Sequence, residues 1–125
     1  MQKLKGQIMI IGEVCLETND VIKLADFYRT ILNITDENQN QDAVHQYIIS
    51  EGTTLTVYND GKHKNNQNEN ISLAFTVKDV DEEYVRLTKL GIPVIDQPKL
   101  QPWGAKNMHL CDPDGNHVYF RSFPE

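Results

Sequence analysis

Two histidines, His109 and His117, stand on either side of a five-residue polar turn, Asp112-Pro113-Asp114-Gly115-Asn116. Imidazoles exchange protons near neutral pH and are frequent metal ligands. Two carboxylates, Glu13 and Glu17, share one parity of an alternating segment with Cys15 between them, and Cys111 adjoins the turn. Carboxylates in such a place can act as bases, pair with a cation, or ligate a divalent ion. Trp103, the single tryptophan, lies in the loop-like stretch Pro102-Trp103-Gly104. There it either stacks on a flat ligand, with cation–π contact if the ligand is charged, or caps a sheet edge as core. Tyr58 and Tyr119 offer aromatic surface and hydroxyls, and a structural hydrogen bond is the competing role for Tyr119. A cluster of His109, His117 and Glu13 or Glu17 is conceivable, but no spacing requires it. No base is placed beside Cys15 or Cys111, and unreactive buried thiols are the commoner kind. His63, between Lys62 and Lys64, reads as a solvated loop residue.

These side chains must be positioned by strands. On both sides of the turn the apolar residues alternate, with Met108 and Leu110 before it and Val118 and Phe120 after it. That pattern predicts a hairpin with one face on a core. Pro113 presets φ near about −65°, and Gly115 accepts positive φ, as such a turn demands. The other face then carries Asn107, His109, Cys111, His117, Tyr119 and Arg121.

Earlier in the chain, residues 8–18 predict a strand, with Val14, Leu16 and Thr18 opposite Glu13, Cys15 and Glu17. Asn19 or Asp20 then caps a helix over 21–32 with Val21, Leu24, Ala25, Tyr28, Ile31 and Leu32 on one stripe. Residues 35–42 are polar and predict a loop. Strands follow over 43–50 and 53–59, joined at Glu51-Gly52. The run 59–70, NDGKHKNNQNEN, has no hydrophobic residue and predicts a flexible connector. A strand over 71–78, a helix over 82–90 capped by Asp79 or Asp81, Gly91 as its stop and a Pro-broken loop from Ile92 lead back to the hairpin. The helix is expected to bury Tyr84, Val85, Leu87 and Thr88 on one side.

The chain repeats itself. Glu13-Val14-Cys15-Leu16-Glu17-Thr18-Asn19-Asp20 and Ser72-Leu73-Ala74-Phe75-Thr76-Val77-Lys78-Asp79 align without a gap, 59 residues apart. Each octet is a strand ending in an Asp that opens an amphipathic helix, followed by further strands. The predicted fold is therefore α+β, with two tandem βαβββ modules of which the third trailing strand is left unplaced. The first module spans about 1–59, the connector 60–70 and the second module about 71–125, within a single domain of 125 residues. The helix-facing side is apolar in both modules and the other side mainly polar. Sheets of this kind that curve together, helices outside, enclose a cleft lined by the polar side; plain solvent exposure of that side is the alternative.

Composition narrows the partners. The formal net charge is −6, from 12 basic and 18 acidic residues. Phosphate-backbone binding rests on Lys/Arg clusters that are missing here, so nucleic acid is not an expected partner. Two cysteines without metal-type spacing predict reduced thiols rather than a disulfide framework, which suits the cytoplasm. The apolar run Ile8–Ile11 is too short for a signal peptide, and no run reaches the roughly 18–20 residues of a membrane span.

Taken together, the strand-Asp-helix start with Phe27-Tyr28 and Leu32, the second start ISLAFTVKDVD (71–81), and PWG (102–104) with DPDGN (112–116) resemble the vicinal-oxygen-chelate superfamily. That family includes glyoxalase I, bleomycin-resistance proteins and extradiol dioxygenases. The resemblance covers nearly the whole chain and implies a homodimer, with clefts built within or between chains. Metal-using members carry one His or Glu on the first strand of each half and one near its end. Matched by motif position, those ligands fall on Glu13, Thr56, Ser72 and Tyr119. Only Glu13 keeps a metal-ligating side chain, so neither a metal nor another cofactor is expected.

The expected function is metal-independent binding of a small organic molecule, aromatic or cationic, for sequestration or sensing. Its site would draw on Glu13, Glu17, Thr56, Tyr58, Ser72, Trp103, His109, His117 and Tyr119. One alternative is a glyoxalase-like lyase or isomerase, or metal-free acid–base chemistry by Glu13 with Tyr119 or a histidine. Another is a domain whose cleft has collapsed.

Overall fold

A computed structural model describes residues 11–35, 42–65 and 71–124. The chain divides into two compact units, Met1–Lys64 and Asn65–Glu125, with the division inside the polar connector.

The first unit contains β1 (Glu13–Glu17), α1 (Val21–Ile31), β2 (His45–Ser50) and β3 (Thr53–Tyr58). Its sheet has the order β1-β3-β2, with β1 parallel to β3 and β2 antiparallel to it. The alternation in sequence becomes burial: Leu16, Ile48, Leu55 and Val57 point into the core, as do Val21, Leu24, Ala25, Tyr28 and Ile31 of α1. Phe27 sits beside that stripe, its ring edge-on to Tyr28 at 5.4 Å. Gln46 is fully buried among these apolar groups because Arg29 donates to its Oε1 and its own amide donates to the Asp42 carbonyl. Unpaired, such an amide would cost a few kcal/mol.

The second unit contains β4 (Ser72–Thr76), α2 (Val80–Lys89), β5 (Asp96–Leu100), β6 (Lys106–Cys111) and β7 (His117–Ser122). Its sheet runs β4-β7-β6-β5, with β4 parallel to β7 and the other pairs antiparallel. The hairpin forms as its alternation predicts: Met108, Leu110, Val118 and Phe120 are at most 1% exposed. Its turn is fixed by Asp112, which accepts from the backbone amides of Asp114 and Asn116 through Oδ1 and from the Asn116 side chain through Oδ2, at 2.8–2.9 Å.

Both helices are begun and ended by the same devices. Asp20 is the N-cap of α1 and accepts from the Lys23 amide; Asp79 is the N-cap of α2 and accepts from the amides of Asp81 and Glu82. Each helix then closes in paired bonds from the two residues beyond its C-cap. Asn33 and Ile34 donate to Thr30 and Arg29, and Gly91 and Ile92 donate to Thr88 and Leu87. This is the Schellman arrangement, whose left-handed residue is Asn33 (φ 55°) in α1 and Gly91 (φ 76°) in α2.

Four expectations are corrected. Helix α2 starts at Val80, two residues early, because Asp79 rather than Asp81 supplies the cap. It buries Val80 and Leu87, whereas Val85 is half exposed and Thr88 lies at the surface. The unplaced strand is β5, hidden in sequence by Pro98. Proline is tolerated there because β5 is an edge strand, and its register with β6 shifts between Asp96 and Lys99. Residues 59–64 of the connector are held in place: the Lys64 ammonium meets Asp60 at 2.6 Å and Glu17 at 3.4 Å. Asn19 and the Lys64 backbone exchange two further hydrogen bonds of 2.9 and 2.7 Å. The first module shows βαββ among its described residues; residues 36–41, expected as loop, and 66–70 of the connector lie outside them. Among the described residues no helix is long and apolar enough to cross a membrane.

Candidate functional site

The polar face of the second sheet carries a pocket of about 790 Å³. Its floor is built by β4, β6 and β7, which place Ala74, Asn107, His109, Tyr119 and Arg121 on one side by the period of two. Ala74 pairs with Tyr119 across the sheet, so its small side chain leaves open space beside the ring. Edge strand β5 supplies one wall through Asp96, Gln97, Pro98 and Lys99.

The rim is the loop between β5 and β6. The Gln101 amide donates to the Ala105 carbonyl and the Gly104 amide to the Gln101 carbonyl, closing a tight turn. Gly104 has φ 97°, which only glycine adopts without strain. Ala105 is anchored in the core while Trp103 is 68% exposed at the pocket mouth. At that exposure Trp103 does not cap the core of this unit.

Inside the pocket the aromatic groups are ordered by stacking. His109 and Tyr119 are direct cross-strand partners, and their rings stack at 4.6 Å and 12°. Asp96 fixes the other edge of the imidazole, with Oδ2 3.1 Å from His109 Nδ1. Arg121 donates through Nε to the Thr76 hydroxyl at 3.0 Å and lies over the Phe123 ring. The Asn107 Oδ1 atom is buried and has no hydrogen-bond partner among the described residues.

Beyond the pocket, on the turn side, His117 Nδ1 is 2.9 Å from His109 Nε2 and 3.9 Å from Cys111 Sγ. Burial first, then the neighbouring Asp112 charge, pushes the Cys111 thiol up and keeps it protonated.

The remaining sequence candidates lie elsewhere. In the first unit Thr56, almost fully buried, donates its hydroxyl to Glu13 Oε2 at 2.5 Å, and Glu17 is paired with Lys64. Tyr58 packs its ring on His45 at 4.4 Å. The Cys15 thiol on β1 is pushed up by partial burial and then by the flanking Glu13 and Glu17 charges. Ser72 is exposed on β4 in register with His117. Of the nine candidate ligand-binding residues the pocket therefore gathers three: Trp103, His109 and Tyr119. Asp96 and Lys99 were hidden with their strand. Asn107 and Arg121 were legible on the polar face, and alternation alone would have nominated them.

The residues from 10 to 120 match the model of the glyoxalase, bleomycin resistance protein and dioxygenase superfamily, and the chain belongs to that family. No curated protein sequence matches it significantly. Solved structures with the same fold include a glyoxalase/bleomycin resistance protein/dioxygenase from Nocardioides, at 20% identity and a TM-score of 0.72, covering 98% of this chain and 88% of that one. Lactoylglutathione lyase from Agrobacterium tumefaciens is 21% identical, with a TM-score of 0.69 over 94% of this chain and 96% of that one. TioX from Micromonospora sp. ML1 is 18% identical, with a TM-score of 0.68 over 91% and 98%. At these identities the likeness concerns the fold.

The metal of the superfamily's metal-using members does not fit the four positions where the motifs place its ligands. Glu13 is the only one with a ligating side chain, and its carboxylate is engaged by Thr56. Thr56 is buried, and Ser72 and Tyr119 offer only neutral hydroxyls, which are poor donors to a borderline divalent ion.

Proposed function

We propose that this protein binds a small organic molecule with an aromatic ring on the polar face of its second sheet, using side chains rather than a metal at the four family positions. The observation that carries the reading is the pocket itself. About 790 Å³ lies within the range of roughly 300–1,000 Å³ usual for such sites, and it combines aromatic surface with a few polar groups. Trp103 at the mouth and Tyr119 on the floor supply the stacking surfaces. Asn107 Oδ1 supplies an acceptor that a donor on the ligand would satisfy.

Charge refines the ligand class. Lys99 and Arg121 both line the pocket, whereas its one carboxylate, Asp96, is turned to His109. Glu13 and Glu17, the sequence candidates for holding a cation, are engaged by Thr56 and Lys64. A neutral or acidic aromatic compound therefore suits the pocket better than a cationic one.

Trp103 emission provides the test, because it is the only tryptophan in the chain. Titration with a panel of aromatic carboxylates and a matched panel of aromatic amines should give quenching and a raised melting temperature in the first. Tyr119→Ala should weaken that binding by about tenfold, the loss of one stacking contact. If neither panel changes the emission or the melting temperature, the binding reading fails; if only amines bind, the charge assignment fails.

A further inference from the structure

We propose that the turn-proximal end of the β6–β7 hairpin is a binding site for a borderline-soft divalent cation such as zinc, held by His109, Cys111 and His117. The donors differ from the four family positions, and the proposal does not rest on the organic-ligand reading.

Two strand rules bring these residues together. His109 and Cys111 are two apart on β6 and so share a face, and His117 is the cross-strand partner of Cys111. One donor atom from each of the three lies within 4.8 Å of the other two, and all three residues are half-buried. His109 Nε2 and His117 Nδ1 are 2.9 Å apart, and His117 Nδ1 and Cys111 Sγ 3.9 Å. Tetrahedral zinc, with bonds of about 2.0–2.3 Å, separates its ligand atoms by roughly 3.3–3.7 Å. The two nitrogens must open by a few tenths of an ångström, and the sulfur must close by a similar amount toward His117 and by up to about 1 Å toward His109.

The surroundings are those of a ligand set. Asp96 accepts or shares the proton of His109 Nδ1 at 3.1 Å, which directs Nε2 toward His117. A carboxylate behind a ligating imidazole fixes its tautomer and raises its basicity. Tyr119 stacks on the face of the His109 ring and so locks its plane, with the in-plane Nε2 edge left to His117. Without a metal, one proton shared between the two imidazoles fills the gap. On binding, the cation takes that position: the shared proton leaves His117 Nδ1 for solvent while its Nε2 takes one up and keeps the ring neutral, the Cys111 thiol gives its proton to solvent, and a sulfur–metal bond forms. Three protein donors leave a fourth position open to water or an added ligand, as in catalytic rather than structural zinc sites. The mixed nitrogen and sulfur donors select zinc or cobalt over calcium or magnesium.

The test uses the full chain stripped with chelator and titrated with cobalt(II), whose bond to a thiolate gives a near-ultraviolet charge-transfer band. One equivalent should produce the band and zinc should displace it. Cys15→Ser should keep the band and Cys111→Ser should lose it. Asp96→Asn should keep it with affinity lowered about 10–100-fold. Absence of the band from the unaltered chain, or its survival in Cys111→Ser, overturns the proposal. A folding defect in Cys111→Ser is bypassed by alkylating the unaltered protein and reading the two cysteines by mass spectrometry. Zinc at about ten times its dissociation constant should slow Cys111 about tenfold and leave Cys15 unchanged. Equal rates at Cys111 with and without zinc overturn the site.

Discussion

The two units are copies of one plan with opposite treatments of their polar faces. Each opens with a strand parallel to the last strand of its sheet, each helix is capped by an Asp at corresponding repeat positions, and each ends its helix in a Schellman turn. In the first unit the polar groups of β1 and β3 satisfy one another: Glu13 takes the Thr56 hydroxyl, and Lys64 reaches Glu17 and Asp60. In the second unit the corresponding face keeps groups in reserve. Asn107 Oδ1 has no partner among the described residues, Trp103 stands in the open, and His109, His117 and Cys111 converge. Among the described residues, the two carboxylates on the first unit's polar face are thus engaged, while the second unit's polar face carries a pocket. What separates the two faces is whether the polar groups close on one another, as Glu13 and Glu17 do with their partners, or converge around open space, as those about the pocket do.

The largest test of this contrast falls on the hairpin turns. The first unit joins β2 to β3 through Glu51-Gly52, where Gly52 takes φ 86°, whereas the second closes its hairpin on the Asp112 carboxylate. Asp112 and Asn116 are 5% and 8% exposed, so removing the carboxylate strands buried donors. Asp112→Ala should cost about 2–4 kcal/mol in a denaturant titration, and Glu51→Ala at the exposed turn less than about 0.5 kcal/mol. Near-equal costs would mean that the turn network contributes little and that the hairpin is held by its core face.

A smaller effect separates the two N-caps. Asp79 accepts two backbone amides, at 2.9 and 3.3 Å, and Asp20 one, at 3.1 Å. Asp79→Ala should therefore lower stability by about 1–1.5 kcal/mol and Asp20→Ala by about 0.5–1 kcal/mol. Equal values in thermal or chemical unfolding would show that the second bond, the longer one, carries nothing.

How much of this was readable in the residues follows from the range of each interaction. The strands, helices and capping aspartates were legible because alternation, the 3.6-residue stripe and an Asp at the repeat junction are local signals. The turn DPDGN was legible for the same reason. Strand β5 was not, since Pro98 reads as a break unless the strand is known to lie at an edge, and edge position is a property of the sheet. The site was half legible. Alternation put His109, Cys111, His117 and Tyr119 on one face, but which of them touch depends on register, and register across the five-residue turn is not written in either strand alone. Glu13 and Glu17 were plausible ligand-holders until their partners Thr56 and Lys64, 43 and 47 residues away, closed on them.

Lys64 offers the finest test, because it is what keeps the first unit's face satisfied. Its ammonium joins Asp60 and Glu17, and both Lys64 and Asp60 keep about a fifth of their side-chain surface exposed, at 22% and 20%. Water is close enough to screen the pair, so the effect on global stability is small and the segment itself must be watched. The hydrogen bond from Lys64, with the Lys62 amide behind it, holds the Asp60 carboxyl below its ordinary range; donating that same bond to Asp60 pushes Lys64 up. A depressed carboxyl contributes above its unfolded value near about 4 and loses that contribution as pH falls through the folded one. A raised ammonium contributes below its unfolded value near about 10 and loses that as pH rises through the folded one. Amide exchange at Gly61 and Lys62, whose N–H groups are bonded to Asn59 and Asp60, should thus keep level protection between those limits, after correction for the intrinsic rate. In Lys64→Met, protection should drop by less than about tenfold throughout that window and lose its alkaline edge. Unchanged protection in that variant would assign the order of 59–64 to the backbone pairing with Asn19, and the first unit's face would owe its satisfaction to that amide rather than to charge.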